Sequence, residues 1–224
     1  MSATPGDPGR QAAGRYTLYG FKGSGSAAVE VALERCGVPY RAVEAASWEP
    51  GTTLAELEKL NPLKQIPTLR MPEGGVMTES AAILIHLGLV HPESRVLPTE
   101  PAARAQSIRG LVYIAANCYA AISIIDFPER WCAQADDADL ERVRRGARER
   151  LHLNWEVFAD QFPGRPFLSG AAPGGLDFLA AVVSKWSGSR AHLREARPAF
   201  YAALERIDHD PAVAAVFGRH WPAS

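Results

Sequence analysis

The alternation of strand and helix signals in the first part of the chain limits its fold more than any other sequence feature. Strands are marked by runs of β-branched and aromatic residues, and helices by apolar residues at helical spacing. In chain order the sequence predicts a strand over 16–19, a helix over 26–36, a strand over 40–45, a helix over 54–60, a hairpin over 68–78 and a helix over 80–90. A strand, a crossover helix and a second strand place the two strands parallel. The pattern therefore predicts an α/β sandwich with helices on both faces of one sheet.

The remainder of the chain carries almost no strand pattern. Pro92, Pro98 and Pro101 interrupt the chain after the first unit, as expected of a connection between two domains. Beyond them the sequence predicts helices over 103–121, 140–162, 176–186 and 197–208, and a short last helix that opens at 210–211. We therefore divide the chain into a disordered leader over 1–14, an α/β domain over 15–96, a linker over 97–102 and an all-helical domain over 103–224.

Composition limits the partners of the protein. The chain has 24 Lys and Arg against 25 Asp and Glu, so it has no electrostatic reason to bind nucleic acid or an anionic membrane. No apolar run approaches the length needed to span a bilayer. Cys36, Cys118 and Cys132 are widely spaced, which favours reduced thiols in a cytoplasmic protein and predicts no metal site.

Two neighbouring motifs predict a binding site for a small peptide. Proline after Ile66 removes a ladder donor and keeps Ile66 extended, so the backbone N–H and C=O of Ile66 are free to face a ligand. Thr78, Glu79 and Ser80 then open an apolar helix. Backbone N–H groups and a hydroxyl at a helix N-terminus bind a carboxylate. An exposed backbone edge beside an anion seat suits a small peptide.

The two motifs together closely resemble the glutathione site of cytosolic glutathione S-transferases. The matching segments are Gln65-Ile-Pro-Thr-Leu69 and Glu79-Ser-Ala-Ala-Ile-Leu84. The resemblance implies that the Ile66–Pro67 bond is cis, that Gln65, Ile66 and Pro67 border the cysteinyl backbone of glutathione, and that Glu79 and Ser80 hold its γ-glutamyl end. Lys64 and Trp48 are candidates for its glycine carboxylate, as a cation and as an indole donor; surface exposure is their alternative role.

The resemblance also implies the architecture and the assembly. It implies a thioredoxin-like N-terminal domain followed by a helical bundle domain, with glutathione as co-substrate and a cytoplasmic homodimer as the assembly. In the family an aspartate at the start of a late helix reciprocates a Ser or Thr N-cap. This sequence has Gly174 at the N-cap position, so Asp177 is expected to accept hydrogen bonds from backbone N–H groups alone. Loss of the Asp177 side chain is expected to lower the free energy of unfolding by about 0.5–2 kcal/mol.

The loop after the first strand is the place to look for the group that stabilises the glutathione sulfur. It reads Gly23-Ser24-Gly25-Ser26 and holds no cysteine, which argues against a disulfide oxidoreductase and against cysteine-type transferases. Ser24 resembles the catalytic serine of serine-type transferases, although counting back from the following helix also allows Gly23. Ser26 is either the helix N-cap or an alternative sulfur ligand. Tyr19 is a further alternative, with core packing as its other role.

The second substrate is less constrained by the sequence. The resemblance implies that five residues of the helical domain border the electrophile pocket, and a purely structural core is the alternative for each: Tyr113, Asn117, Tyr119, Phe127 and Trp131. The function it implies is conjugation of glutathione thiolate to a small apolar electrophile, as in detoxification. The alternatives are a non-catalytic glutathione-binding or assembly module of the same fold, and a glutathione-dependent isomerase or dehalogenase.

Overall fold

A computed structural model describes residues 14–222 of the chain. The predicted leader therefore lies almost wholly outside the described residues. The first part holds the strands β1 (Tyr16–Gly20), β2 (Tyr40–Glu44), β3 (Thr68–Arg70) and β4 (Val76–Met77) and the helices α1 (Ser26–Arg35), α2 (Leu54–Leu60) and α3 (Ser80–Val90). The second part holds α4 (Pro101–Tyr113), a π-helical turn (Ile114–Tyr119), α5 (Ala120–Asp126), α6 (Asp137–Gln161), α7 (Gly175–Val183), α8 (Ser189–Ala196), α9 (Pro198–Asp208) and α10 (Pro211–His220).

One four-stranded sheet in the order β2-β1-β3-β4 organises the first part. β1 runs parallel to β2 and antiparallel to β3, and β3 forms a hairpin with β4. Successive side chains of β1 point to opposite faces. Leu18 packs in the main core with α1 and α3, whereas Tyr19 packs against Leu57 of α2 on the other face. The predicted fold, a thioredoxin-like sheet-and-helix domain followed by a helical bundle, is confirmed.

α4, the π-helical turn and α5 form one continuous helix, Pro101–Asp126. By length and composition alone this helix is apolar enough to cross a membrane, so the expectation that no apolar run approaches that length is wrong by this measure. Core helices of soluble proteins pass the same test. Here Leu111, Ile114, Ile122 and Ile125 are buried in the main core of the fold.

The helical part departs from the sequence prediction in two places. Helix α4 begins at Pro101, inside the predicted linker, because Glu100 caps it by accepting hydrogen bonds from the two N–H groups that follow the proline. Helix α8 was not predicted. Ser189 and Leu193 are its only buried residues, so its sequence carries too few apolar positions to show a helical period.

A buried ion cluster joins the last helix to the first. The Glu30 carboxylate of α1 accepts hydrogen bonds from His220 Nε2 at 2.7 Å, Arg219 Nη2 at 2.8 Å and Tyr40 Oη at 3.0 Å. Burial raises the pKa of Glu30, but the hydrogen bonds from His220 and Arg219 outweigh it and lower the pKa to about 2. The cluster therefore holds Glu30 ionised.

Acid is expected to weaken this connection. A carboxyl whose folded-state pKa is depressed contributes stability above its unfolded pKa and loses it as the pH falls. The free energy of unfolding should therefore fall from about pH 5 towards pH 2, with a steeper slope than in Glu30→Gln. Urea denaturation of both proteins at a series of pH values measures this. Parallel slopes for the two proteins would contradict a role for Glu30.

Candidate functional site

A cavity of about 1320 Å³ opens between the sheet domain and the helical domain. This volume is larger than most pockets for a single small molecule, which are about 300–1,000 Å³. Its walls come from the glycine loop after β1, the loop before β3, the start of α3, the helix Pro101–Asp126 with the turn after it, and the segment that follows α7. The cavity therefore has room for a tripeptide and a second small ligand.

The loop before β3 presents an unpaired backbone edge to this cavity. The Ile66–Pro67 peptide bond is cis, as expected. Asn61 holds the loop, since its Nδ2 donates to the carbonyl of Gln65 at 3.0 Å and its Oδ1 accepts from the N–H of Leu63 at 3.1 Å. Within residues 14–222 the backbone N–H and C=O of Ile66 have no hydrogen-bond partner. Both groups are therefore available to an extended peptide.

The start of α3 forms the neighbouring wall. Glu79 has a φ of 65°, a left-handed conformation that is uncommon for a side chain of this kind and clusters at functional sites. Ser80 is buried and also lines the cavity. In the described part of the chain no side chain caps this helix. Its first N–H groups are thus left for an anion.

Trp48, Lys64 and Gln65 line the same side of the cavity. The indole of Trp48 is 56% exposed and packs edge-on against Phe21. The Lys64 ammonium lies 2.8 Å from the carboxylate of Glu58 in an exposed ion pair, a contact of a kind that contributes little and opens easily. Both side chains can therefore turn to a ligand at this rim.

The glycine loop places one serine at the cavity and a second behind it. Ser24 lines the cavity, and its Oγ donates to the Phe21 carbonyl at 2.7 Å. Ser26 Oγ lies 2.8 Å from Ser24 Oγ and 3.2 Å from the same carbonyl. If Ser26 donates to the carbonyl, the Ser24 proton is free to point into the cavity. Helix α1 begins directly behind this pair and has no side-chain cap in the described residues, so its positive end faces the same place.

The two alternative sulfur ligands, Tyr19 and Ser26, do not line the cavity. Tyr19 is fully buried, and its hydroxyl donates to Glu56 Oε1 at 2.5 Å in the small cluster beneath α2. It is not among the residues that line the cavity. Ser26 is buried too and reaches the cavity only through Ser24. Of the three candidates, Ser24 is the one that lines the cavity.

Tyr119 closes the cavity opposite the glycine loop. A Cβ at Gly25 would lie only 2.5 Å from the Tyr119 hydroxyl oxygen, so the close approach requires glycine. The ring packs edge-on against Trp186, with centroids 5.5 Å apart. Burial, together with Asp126 and Glu79, raises the pKa of Tyr119 to about 12. The hydroxyl is therefore protonated at neutral pH and is a hydrogen-bond donor beside Ser24.

The remaining predicted pocket residues divide into two groups. Phe127 and Trp131 line the cavity. Tyr113 and Asn117 do not: the Tyr113 hydroxyl donates to the Asn154 carbonyl at 3.0 Å, and Asn117 Nδ2 donates back to the Tyr113 carbonyl at 3.1 Å. These two residues tie α4 and the π-helical turn to α6, which is the structural alternative that the sequence left open.

Sequence reasoning missed part of the lining. Arg130, Lys185 and Trp186 line the cavity and were not predicted. Arg130 directly precedes Trp131, a predicted pocket residue, in the turn Pro128–Arg130, so its position was within reach of the sequence. Lys185 and Trp186 follow α7 and come to the cavity through tertiary packing, with no local motif to mark them.

Comparison with known proteins gives consistent results. Residues 26–89 match the family model of the glutathione S-transferase N-terminal domain. The uncharacterized GST-like protein YncG of Escherichia coli (strain K12) is 29% identical over 170 residues, which are 75% of this chain and 80% of that protein. The maleylacetoacetate isomerase of Rattus norvegicus is 36% identical over 96 residues, 42% of this chain and 44% of the isomerase.

Two solved structures share the fold over nearly the whole chain. A glutathione transferase homolog from Sulfitobacter with bound glutathione superposes with a TM-score of 0.79 at 23% identity, over 92% of this chain and 98% of that one. A glutathione S-transferase from Methylobacterium radiotolerans in complex with glutathione sulfonate gives a TM-score of 0.71 at 25% identity, over 94% and 96% of the two chains.

Proposed function

We propose that this chain, which belongs to the glutathione S-transferase family, is a serine-type transferase that joins the thiolate of glutathione to a small electrophile with an apolar body. The observation that carries the proposal is the position of Ser24. Its hydroxyl lies at the cavity, at the positive end of α1, across from the unpaired backbone of Ile66. A tripeptide thiol anchored at Ile66 has a hydroxyl donor within the same cavity.

Binding of glutathione uses the two motifs that the sequence identified. The cysteinyl backbone of glutathione pairs with the N–H and C=O of Ile66, and its γ-glutamyl carboxylate lies at the uncapped start of α3 beside Ser80. Trp48 and Lys64 serve the glycine carboxylate at the other rim. Three observations support this placement: the unpaired backbone of Ile66, the uncapped start of α3 and the exposed ion pair of Lys64.

The chemistry needs a thiolate near neutral pH. A free thiol has a pKa of about 8.5, and only the ionised form is a good nucleophile. A hydrogen bond from Ser24 to the sulfur and the N-terminal end of α1 both favour the charged form. With an aryl chloride, the C–S bond forms as the C–Cl bond breaks, chloride leaves with the bonding pair, and the thiol proton passes to water. The protein supplies orientation and charge stabilisation.

A glutathione-dependent isomerase is the second candidate. The observation that favours it is the 36% identity with the rat maleylacetoacetate isomerase over 96 residues. A thiolate that adds to a carbon–carbon double bond and then leaves again can isomerise it, so the same site could serve such a reaction. A non-catalytic glutathione-binding module is the third candidate, because the fold alone does not fix the chemistry.

Retention on immobilised glutathione, followed by an assay with 1-chloro-2,4-dinitrobenzene, tests the proposal. We expect both retention and turnover. The non-catalytic module would be favoured if the protein is retained but turns over none of the substrates, namely this halide, a wider set of electrophiles and a cis-to-trans isomerisation substrate. Isomerisation without conjugation would favour the second candidate. A protein that neither binds glutathione nor turns over any of these substrates would contradict all three.

We expect the protein to act as a two-fold homodimer in the cytoplasm. Closed symmetric dimers are the commonest assembly of soluble proteins, and Leu89 and Val90 leave an exposed apolar patch at the end of α3. Sedimentation at micromolar concentration measures the assembly. A monomer over the whole concentration range would contradict the expectation.

A further inference from the structure

The wall of the cavity beyond the glycine loop carries a cation that the proposed glutathione contacts do not use. Lys185 follows α7, lines the cavity, and has 23% of its side chain exposed. Its ammonium lies 4.8 Å from the ring of Phe217 and 5.1 Å from that of Trp221. Trp221 in turn borders the glycine loop, since a Cβ at Gly23 would lie 3.5 Å from its indole nitrogen. Trp221 therefore lies between Lys185 and the glycine loop.

The charge of Lys185 is not balanced by its neighbours. Its one acidic partner in residues 14–222 is Asp208, whose Oδ2 lies 3.0 Å from the Lys185 ammonium. Both oxygens of Asp208 already accept from Arg190, at 3.0 and 3.1 Å, in a bidentate pair. Arg190 also donates to Ser184 Oγ and to the Ala181 carbonyl, which fixes its position. Two cations thus share one carboxylate, and a net positive charge remains.

The pKa of Lys185 shifts in the direction expected for a cation that shares its carboxylate. Burial lowers the pKa of Lys185, and the attraction of Asp208 does not restore it. If these charges served only to stabilise the fold, each cation would have its own carboxylate, because a buried cation without a counter-ion is costly. Of the two cations, Lys185 is the one whose residue lines the cavity.

We propose that Lys185 binds a carboxylate of the second substrate. The electrophile is then an organic acid whose reactive carbon is attached to an apolar group. This inference rests on the proposed transferase function. Tyr119 also lines the cavity, and its protonated hydroxyl is a second donor for that carboxylate. Trp186 directly follows Lys185 and packs against Tyr119, and it supplies the apolar surface for the body of the substrate.

Paired substrates test the charge requirement. The probes are 4-chloro-3-nitrobenzoate and 4-chloro-3-nitrobenzamide, which share the ring and the leaving group and differ in charge. Each kcat/KM is divided by the rate constant of the uncatalysed reaction with glutathione. We expect the wild-type protein to prefer the acid by about tenfold, the effect of one hydrogen bond to a charged group. Equal normalised values in the wild-type protein would overturn the inference, and this measurement needs no variant.

Variants assign the preference to Lys185. Lys185→Met, or Lys185→Gln if the first does not fold, should lose the preference for the acid, and Lys185→Arg should keep it. Lys64→Met is the matched control, because it removes a cation from the opposite rim of the same cavity. It should weaken glutathione binding and leave the ratio of acid to amide unchanged. A Lys185→Met protein that keeps the ratio would overturn the inference.

Binding of the two glutathione conjugates separates this inference from the proposed function. Calorimetric titration should show the carboxylate conjugate binding about tenfold more tightly than the amide conjugate in the wild-type protein, and equally in Lys185→Met. If this difference in binding is seen but the protein shows no turnover, the carboxylate site is supported and the transferase proposal fails. Turnover without a preference in rate or binding would reject the carboxylate site and leave the transferase proposal intact.

Discussion

Ser24→Ala is expected to lower kcat by about tenfold to a hundredfold, the usual cost of losing one donor to a charge that develops in a site. In the proposed mechanism the Ser24 hydroxyl favours the thiolate of bound glutathione, so its loss should move the apparent pKa of that thiol up towards the value of about 8.5 of a free thiol. The pH dependence of kcat with an aryl halide measures both effects. The affinity for glutathione should change little.

Three further variants act as controls for this result. Ser80→Ala removes a contact to the γ-glutamyl end and should weaken glutathione binding with an unmoved pH profile. Ser26→Ala removes the hydroxyl that holds Ser24 at 2.8 Å, so it should give a smaller shift in the same direction. Tyr19→Phe should leave the profile unchanged, because Tyr19 lies away from the cavity. A shift in Tyr19→Phe without one in Ser24→Ala would reject our assignment of the sulfur ligand.

Asp177→Ala is expected to destabilise the protein by about 3–5 kcal/mol, since it leaves several buried donors without partners. The carboxylate accepts from the N–H groups of Leu168 at 2.7 Å, Ser169 at 2.9 Å and Gly174 at 3.0 Å. Burial raises the pKa of Asp177, and these donors oppose that effect. The side chain therefore joins the segment before α7 to the start of the helix.

Asp210→Ala is the matched control. Asp210 caps α10 through one hydrogen bond to the N–H of Ala212, and its loss should cost about 1 kcal/mol, as for an ordinary cap. Urea denaturation of both variants compares the two aspartates. Asp177→Ala with a loss no larger than that of Asp210→Ala would show that the contacts to Leu168 and Ser169 add nothing.

These aspartates show how far the sequence could predict the structure. The bond from the N–H of Gly174 to Asp177 lies within one turn of a helix, and the family resemblance predicted it correctly. The bonds to Leu168 and Ser169 cross a loop whose path depends on tertiary packing, and for that reason the cost predicted from the sequence, about 0.5–2 kcal/mol for a cap alone, is lower than the one expected from the structure.

The candidate site likewise contains residues that local sequence predicts and residues that only tertiary packing brings to the cavity. Ile66 and Ser80 lie in one short stretch where proline geometry and helix capping restrict the backbone, and the structure places both at the cavity. Tyr19 was a reasonable candidate by its position before the loop, but the two-residue period of a strand turns it away from that side. Lys185 follows α7 and lines the cavity, a position that depends on tertiary packing and that no local pattern encodes.

The π-helical turn over Ile114–Tyr119 links the shape of the cavity to chain length. An α-helix rotates by about 100° per residue, so the extra residue of a π turn rotates every later side chain about the helix axis by a similar angle. Leu111 before the turn faces the core, while Tyr119 and Ser123 reach the cavity. Deleting one residue here would turn the wall of the second-substrate pocket as a unit, so a single insertion or deletion in this helix can change substrate preference without any substitution in the wall itself.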